Sequence, residues 1–273
     1  MTVWEDLLKR PVRLTDESVA DWFARIADEL LNRTHWMVGG RPHRMTEVEF
    51  YYVGAGHHDP FAHADPIQQY AGRWYFHKTA GMYRGGSFKG VDLTFGNEDA
   101  RAGILIRGLE APDGKRIDGP SLLVDRLLAE CGKPTVAALD QEINSRLAWD
   151  VTNPLHVKSA PDLHKATLSC ARVGLSLRKA RPGSTAPAFL TRPYRFLTDP
   201  AMIAKGKVQM VLELHRRGVP VDEIRQLTGC PTRTVAGYVA EYEAGRREGS
   251  SEEYFGKELG PKDLCRLHGI ADR

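Results

Sequence analysis

The chain has 273 residues, of which 42% are hydrophobic and 27% charged, so it has enough apolar material for one sizeable core and a small additional unit. The net charge is only +3, but Lys and Arg occur in clusters, which allows a polyanionic partner such as nucleic acid without requiring one. The four cysteines are scattered and form no CxxC pair, which argues against a disulfide framework or a four-thiolate zinc site. No segment resembles a membrane span or a signal peptide. We therefore expect a soluble, cytoplasmic protein without a membrane partner.

The first predicted elements are a helix and a strand. Residues 15–17 are typical of a helix start, and apolar residues recur at spacings of three and four over residues 19–31, which predicts an amphipathic helix. Over residues 44–53 the alternation approaches a period of two, which predicts a strand that carries Glu47 and Glu49 on one face.

A loop and further strands follow. Residues 55–69 are irregular and rich in His, Asp and Pro, which indicates a long functional loop. Residues 72–77, 88–95 and 102–109 have strand character, a helix is predicted after Gly119-Pro120-Ser121, and residues 172–196 return to loop and strand character. We therefore predict an α+β fold with a curved mixed or antiparallel sheet and surrounding helices.

Beyond Pro200 the composition becomes charged and helical. The pattern predicts helices over residues 208–217 and 221–228, which end at Gly218 and Gly229, and a third helix that begins at Pro231. We place a catalytic domain at residues 1–204 and a small all-α unit at residues 205–273. This unit resembles a helix-turn-helix, in which Thr232 and Arg233 would contact DNA, but a plain three-helix bundle that caps the main domain is an equal alternative.

Two acids on a strand are weak evidence for chemistry, because such a face is more often simply solvated. Five short motifs, however, occur in a fixed order along the chain. They are Thr46-Glu47-Val48-Glu49-Phe50-Tyr51 with a following loop that ends at Phe61-Ala62-His63, Ile104-Leu105-Ile106-Arg107-Gly108-Leu109-Glu110, Gly119-Pro120-Ser121, Ala171-Arg172-Val173-Gly174, and Arg192-Pro193-Tyr194-Arg195-Phe196.

In this order the motifs resemble those of the alkyladenine (3-methyladenine) DNA glycosylase family. The resemblance implies a monofunctional DNA glycosylase without a cofactor, which flips a modified or damaged base out of double-stranded DNA, hydrolyses its glycosidic bond and leaves an abasic site. It also implies that Glu49 is the general base, and that Arg107 and the backbone carbonyl of Val173 help to hold the attacking water. No lysine matches a Schiff-base position, so we expect no covalent imine.

The resemblance also assigns the base pocket. Tyr51 would stack on the flipped base, His63 would hydrogen-bond an edge of that base, and Tyr83 would supply the opposite stacking face. Simpler alternatives remain open, in which Tyr51 belongs to the core, His63 only caps its loop, and Arg107 pairs with Glu110 or Glu49. We expect a monomer.

Two departures from the family pattern concern the substrate. Asp92 stands where the family has a pocket Asn. An ionised Asp only accepts hydrogen bonds, so it would favour a base with an amino donor, whereas a protonated Asp could instead serve as a second acid. The family's intercalating Tyr falls in the turn that begins at Arg84, so a different wedge, or none, fills the vacated stack, and Tyr83 or Arg84 could do so. That turn would contact DNA through Arg84, Gly85, Gly86 and Lys89, and its glycines leave room for a bulky or hypermodified base, such as one in phage DNA.

The sequence also suggests a metal site and a rival function. His57, His58, Asp59 and His63 suggest a metal site, but their spacing matches no standard zinc pattern, so we predict none. A non-catalytic nucleic-acid-binding regulator on a glycosylase-like scaffold is the rival function. Such a regulator has no need to keep Glu49, Arg107 and His63 together.

Overall fold

The computed structural model describes residues 3–12, 15–54 and 56–273. Ala55, at which the predicted loop begins, lies outside the described residues. The chain divides into two compact units. Unit 1 comprises the residues up to 58, residues 62–167 and residues 196–198, and unit 2 comprises residues 59–61, 168–195 and 199–273. Residues 168–195 therefore group with the C-terminal residues, whereas the sequence analysis placed the division at residue 205.

Unit 1 combines helices with a large antiparallel sheet. Its helices are α1 (Val3–Leu7), α2 (Asp16–Asn32), α3 (Pro120–Glu130) and α4 (Val136–Ile143). Its strands are β1 (Thr34–Val38), β2 (Arg41–Gly54), β3 (His57–His58), β4 (Trp74–Phe76), β5 (Lys78–Thr79), β6 (Met82–Tyr83), β7 (Val91–Thr94), β8 (Arg101–Glu110), β9 (Arg116–Asp118) and β10 (Leu155–Ser159).

The main sheet of unit 1 runs in the order β10-β1-β2-β8-β7-β4, and each neighbouring pair on this path is antiparallel. β3 extends β2 as a short antiparallel pair, and β9 pairs with β8 in the same way. β5 and β6 form a separate hairpin. The predicted α+β class and antiparallel sheet are therefore confirmed, and the four predicted strands all lie in the sheet.

Helix α2 covers one face of this sheet. It begins with a reciprocal cap in which the Ser18 amide donates to Thr15 Oγ1 at 3.1 Å and the Thr15 amide donates to Ser18 Oγ at 2.8 Å. Phe23 of the helix stacks on Phe50 of β2, with ring centroids 4.6 Å apart. Because side chains alternate along a strand, Phe50 and Glu49 project from opposite faces of β2. The aromatic core thus lies on one side of the sheet and Glu49 on the other.

Unit 2 is mainly helical. Its elements are β11 (Leu168–Cys170), α5 (Ala186–Thr191), α6 (Lys207–Arg216), α7 (Val221–Thr228), α8 (Thr232–Gly245) and α9 (Pro261–Ala271), and β12 (Arg195–Leu197) begins in unit 2 and ends in unit 1. The three predicted helices correspond to α6, α7 and α8 and are confirmed. The prediction of loop and strand over residues 172–196 is wrong at α5, a single short helix whose apolar residues pack into a local core.

Two contacts organise unit 2. Arg172 and Asp59, both with fully buried side chains, form an ion pair, and Arg172 Nη2 also donates to the Phe189 carbonyl at 3.2 Å. α8 and α9 approach closely at a glycine: a Cβ atom at Gly269 would lie 2.0 Å from the Tyr242 carbonyl oxygen.

Among the described residues, no helix is both long and apolar enough to cross a membrane.

Candidate active site

Two acids of β2 and one arginine of β8 form a buried ionic network. Glu49 is 0% exposed and Glu47 2% exposed, so the alternative of a solvated strand face is wrong. Arg107 Nε donates to Glu47 Oε1 at 2.7 Å, and Arg107 Nη1 donates to Glu49 Oε2 at 3.3 Å. The guanidinium therefore binds both acids at once.

A local irregularity places Arg107 between the two carboxylates. The register of β2 against β8 shifts on both sides of Glu47, which lies opposite Gly108, while Val48 already lies opposite Ile106. Arg107 consequently falls between paired positions. Such irregularities bend a strand and redirect side chains, and they are frequent beside active sites.

Arg107 is held as a cation by its surroundings. Burial alone would lower the pKa of its guanidinium, but the adjacent carboxylates of Glu49 and Glu47 raise that pKa above its ordinary value. The charged guanidinium is therefore the countercharge for two buried acids. Of the alternatives left open for Arg107, pairing with Glu49 is observed, whereas Glu110 accepts a hydrogen bond from Arg116 at 3.0 Å.

Tyr51 is bonded to the same acid. Its hydroxyl donates to Glu49 Oε2 at 2.8 Å, which the strand geometry allows because residues i and i+2 lie on one face. Tyr51 is half-buried, so it is part of neither the fully buried core nor the open surface. Stacking of its ring on a flipped base stays a prediction.

Four positions form a row across the sheet on the Glu49 face. Glu49 lies opposite Leu105, Leu105 lies opposite Asp92, and Asp92 lies opposite Tyr75. Residues directly opposite each other in antiparallel strands project from the same face of the sheet. Asp92 and Glu49 are therefore on one face, with the apolar side chain of Leu105 between them.

Asp92 is the centre of a second polar cluster. It is 3% exposed, and both of its carboxylate oxygens have partners. Oδ1 lies 2.7 Å from His77 Nε2, and Oδ2 accepts a hydrogen bond from Gln68 Nε2 at 3.0 Å. Direct contact of Asp92 with a base stays a prediction, and its observed contacts are with these two side chains.

His63 belongs to the Asp92 cluster. Its ring centroid is 4.2 Å from that of His77, and the Tyr75 hydroxyl lies 3.4 Å from His63 Nδ1. Burial lowers the pKa of His63 to about 4, with a further contribution from His77 that Asp92 opposes. His63 is therefore neutral at physiological pH, with a ring nitrogen able to accept a hydrogen bond.

Two glycines allow this cluster to form. A Cβ atom at Gly103 would lie 2.4 Å from Gln68 Nε2 and 2.5 Å from Asp92 Oδ2, and one at Gly90 would lie 2.6 Å from the His77 ring. Any side chain at either position would therefore displace the groups that surround Asp92.

The predicted DNA-contact turn lies beside helices α3 and α4. Tyr83 donates to Asp140 Oδ2 at 2.5 Å, and Lys89 Nζ lies 2.6 Å from Asp125 Oδ1. Arg84 Nε donates to Thr79 Oγ1 at 2.9 Å. The Gly86 carbonyl accepts a hydrogen bond from Ser121 Oγ at 2.7 Å, and Gly85 is exposed. The polar ends of Tyr83 and Lys89 thus have acidic partners within the protein.

The remaining predicted site residues belong to unit 2. Val173 follows β11, and Thr232 and Arg233 are exposed at the start of α8. The roles assigned to all three stay predictions.

The histidine-rich loop has contacts other than metal ligation. His57 Nδ1 lies 3.0 Å from the Tyr52 carbonyl oxygen, and Asp59 is paired with Arg172. Over residues 3–12, 15–54 and 56–273, no group of three or more His, Cys, Asp or Glu side chains is arranged to hold a metal ion.

Sequence reasoning missed His77, Gln68 and Tyr75 as members of the site. A usable signal was present for two of them, because alternation along the predicted strand 72–77 places Tyr75 and His77 on one face. The contribution of Gln68 depends on how the preceding loop folds back onto β7 and has no comparable signal in the sequence.

The chain is similar in sequence to a viral protein. No protein-family model matches the chain. It is 34% identical over 138 residues to a protein of Acanthamoeba polyphaga mimivirus described as "Uncharacterized protein L759". The match covers 44% of this chain and 64% of the viral protein.

Proposed function

We propose that the protein is a monofunctional DNA N-glycosylase with a glycosylase-like catalytic unit, which excises a modified or damaged base and leaves an abasic site. The observation that carries this proposal is Glu49, fully buried on the sheet and bonded by both Arg107 and Tyr51. Burial of two carboxylates and a guanidinium is often no more favourable for the stability of the fold than burial of apolar residues of similar volume, because the charged groups lose their hydration. Such groups are concentrated at functional sites.

The chemistry of the site suits activation of water. Hydrolysis of an N-glycosidic bond needs a carboxylate that takes a proton from water as the water attacks C1′ of the sugar. Glu49 supplies the carboxylate. Arg107 balances its charge and, through the bond to Glu47, fixes its position. Base flipping would bring the sugar to this face of the sheet, where Tyr51 and His63 would contact the extruded base.

The gap that a flipped base leaves in the duplex needs a filler. Tyr83 and Arg84 have contacts within the protein, whereas Met82 on β6 and Phe88 in the following turn are each 73% exposed. Apolar side chains of this kind serve as wedges between base steps in DNA-bending proteins. We therefore assign the wedge to Met82 or Phe88, and the exposed Gly85 between them leaves room for a bulky substituent.

One assay tests the proposed function. Wild-type protein is incubated with duplex DNA that is unmodified, alkylated, deaminated or built with hypermodified phage bases, and released bases are identified by mass spectrometry. We expect release of at least one modified base, with an abasic site and no strand cleavage. Release from phage-modified DNA alone would indicate a role in defence. Release from alkylated or deaminated DNA would indicate a role in repair. Absence of release from every substrate would contradict the proposal.

A second candidate, a non-catalytic nucleic-acid-binding regulator, is favoured by one observation in unit 2. α7 and α8 are separated by a short turn at Gly229, and Thr232 and Arg233 at the start of α8 are exposed as the helix-turn-helix reading requires. A regulator would bind duplex DNA with a steep salt dependence and release no base. Loss of duplex affinity in R233A together with absent base release would support this candidate.

A further inference from the structure

We propose that His77, held by Asp92, donates a proton to the departing base, and that the site consequently accelerates the release of a neutral base more than that of a cationic alkylated one. This inference rests on the proposed function. It assigns the acid that accompanies the Glu49 base.

The pair has the geometry of a positioned proton donor. His77 Nε2 lies 2.7 Å from Asp92 Oδ1, and their side chains are 11% and 4% exposed. Gln68 binds the second oxygen of Asp92 and so fixes the carboxylate. A carboxylate that accepts a hydrogen bond from one ring nitrogen fixes the orientation of the imidazole and of its other nitrogen. Asp92 is thus a positioning residue, and His77 is the group that would meet the substrate.

Asp92, which holds His77, projects from the face of the sheet that carries Glu49. Asp92 and Glu49 share a face and are separated by two strand spacings, with Leu105 between them. Two such spacings amount to about 10 Å between Cα atoms. The His77 ring lies beside that of His63, with centroids 4.2 Å apart, so the proposed donor adjoins the residue expected to contact the base.

His77 is a better donor than its neighbour His63. The low pKa of His63 keeps that ring neutral, so it has no proton to spare at physiological pH. Of the two rings, only that of His77 has a carboxylate oxygen within 3 Å of a ring nitrogen in the described contacts. The neutral His63, 4.2 Å away between ring centroids, can instead accept a hydrogen bond from the base.

The C1′–N bond breaks with its electron pair moving to the base, and His77 transfers one proton to a ring nitrogen of that base. Water adds to C1′ and gives one proton to Glu49. His77 is reprotonated and Glu49 deprotonated by solvent after release, so the net reaction consumes one water. A base that already carries a positive charge departs without the proton, whereas a neutral base needs it, and general acids of this kind contribute about 10²–10⁴-fold in rate.

The test compares a neutral with a cationic leaving base in the full-length protein. Duplexes of one sequence carry a single hypoxanthine or a single 7-methylguanine, and single-turnover release rates and duplex Kd are measured for wild type, H77Q, D92N and E49Q. We expect wild type to release hypoxanthine, H77Q to lose about 100-fold or more of that rate, and D92N to lose rate in the same direction. Release of 7-methylguanine, where wild type shows it, should change by less than about threefold in H77Q, which also shows that the variant is folded.

The remaining outcomes bear on the donor role of His77, on the proposed function or on both. Equal loss for both bases in H77Q, or no loss for either, overturns the donor role of His77, as does wild-type release of the cationic base alone. If wild type releases only hypoxanthine, an H77Q rate loss with unchanged Kd supports the role, and a weakened Kd with an unchanged rate overturns it. If wild type releases a base, E49Q is inactive and H77Q is fully active, only the donor role of His77 is refuted. If wild type releases neither of these two bases nor any base of the wider panel, the donor role and the proposed function are both refuted.

Discussion

Gly103 on β8 lies between Tyr51 of β2 and Thr94 of β7 in the sheet, on the face that carries the polar cluster. The space that a side chain would take there is occupied by Gln68 and Asp92. A single methyl group at this position thus competes with the hydrogen bond that fixes the Asp92 carboxylate.

Gly103→Ala tests this arrangement. We expect the variant to lower the free energy of unfolding by about 1–3 kcal/mol, because a Cβ atom would overpack a closed site. Urea denaturation measures the effect. Gly237→Ala, in the middle of helix α8 with open space around it, is the control and should instead raise stability by about 0.5–1 kcal/mol. Equal stability of G103A and wild type would show that Gln68 moves aside without cost.

At the scale of single residues, sequence reasoning identified one half of the candidate site. Glu49 and Arg107 lie in linear motifs, and their pairing follows once both occupy neighbouring strands. His77 and Asp92 are paired through the register of β4 against β7, which no local pattern specifies. A contact that depends on register becomes visible only when the strands are aligned.

At the scale of elements, the conformation of the turn between β5 and β6 can be tested by substitution. Its two loop residues, Ala80 and Gly81, both have positive φ angles, 50° and 79°, as a type I′ hairpin turn requires. Asn adopts this conformation more readily than Ala, whereas Gly is the residue that adopts it without strain.

Two substitutions in this turn should act in opposite directions. We expect Ala80→Asn to raise the free energy of unfolding by up to about 1 kcal/mol and Gly81→Ala to lower it by about 1–2 kcal/mol, because left-handed backbone costs an L-residue roughly that much. A Cβ atom at Gly81 would meet open space, so the effect of Gly81→Ala comes from the backbone conformation and not from packing. Thermal melts of both variants give the sign, and a shift of the same sign in both would be inconsistent with this turn.

The elements that sequence patterns indicated are those with a long or strongly marked periodicity. Helix α2 and strands β2 and β8 are of this kind. Strands β1 and β10 were not predicted; each has five residues, and they pair with each other across more than a hundred positions of sequence. Short elements of this type depend on non-local pairing, so a local pattern carries little information about them.

At the scale of the whole molecule, acid sensitivity follows from a buried histidine of unit 2. His268 of α9 is 8% exposed, and burial lowers its pKa from 6.5 to about 4, with Arg216 adding to the effect. Its Nε2 atom has no hydrogen-bond partner among the described residues. As pH falls, the unfolded chain takes up a proton near pH 6.5 and the folded protein only near pH 4, so stability is lost between these values.

We expect this loss to reach about 1.4 kcal/mol for each pH unit inside the window. Urea denaturation of wild type and His268→Leu at pH 7, 6 and 5 isolates the contribution, since other titrating groups are common to both proteins. The stability of wild type relative to His268→Leu should fall as pH decreases. A difference that is constant with pH would show that His268 titrates normally in the folded protein.

The two units also differ in how well sequence specified them. Gly218 and Gly229 follow the ends of α6 and α7, Pro231 precedes the start of α8, and the predicted bounds agree with the observed ones to within one residue. Grouping of residues 168–195 with the C-terminal helices rests on contacts such as that of Arg217 with the Ser169 carbonyl, 48 positions apart. Composition changes near residue 205, but the contacts do not follow composition.

The most direct test of the account is single-turnover base release by Glu49→Gln. Glu110→Gln, which removes another carboxylate of the same sheet outside the site, is the matched control. On a substrate that wild type processes, we expect E49Q to lose release by at least about 10³-fold while duplex Kd stays within about threefold, and E110Q to resemble wild type. Release by E49Q at the wild-type rate would contradict the assignment of Glu49 as the base that activates water.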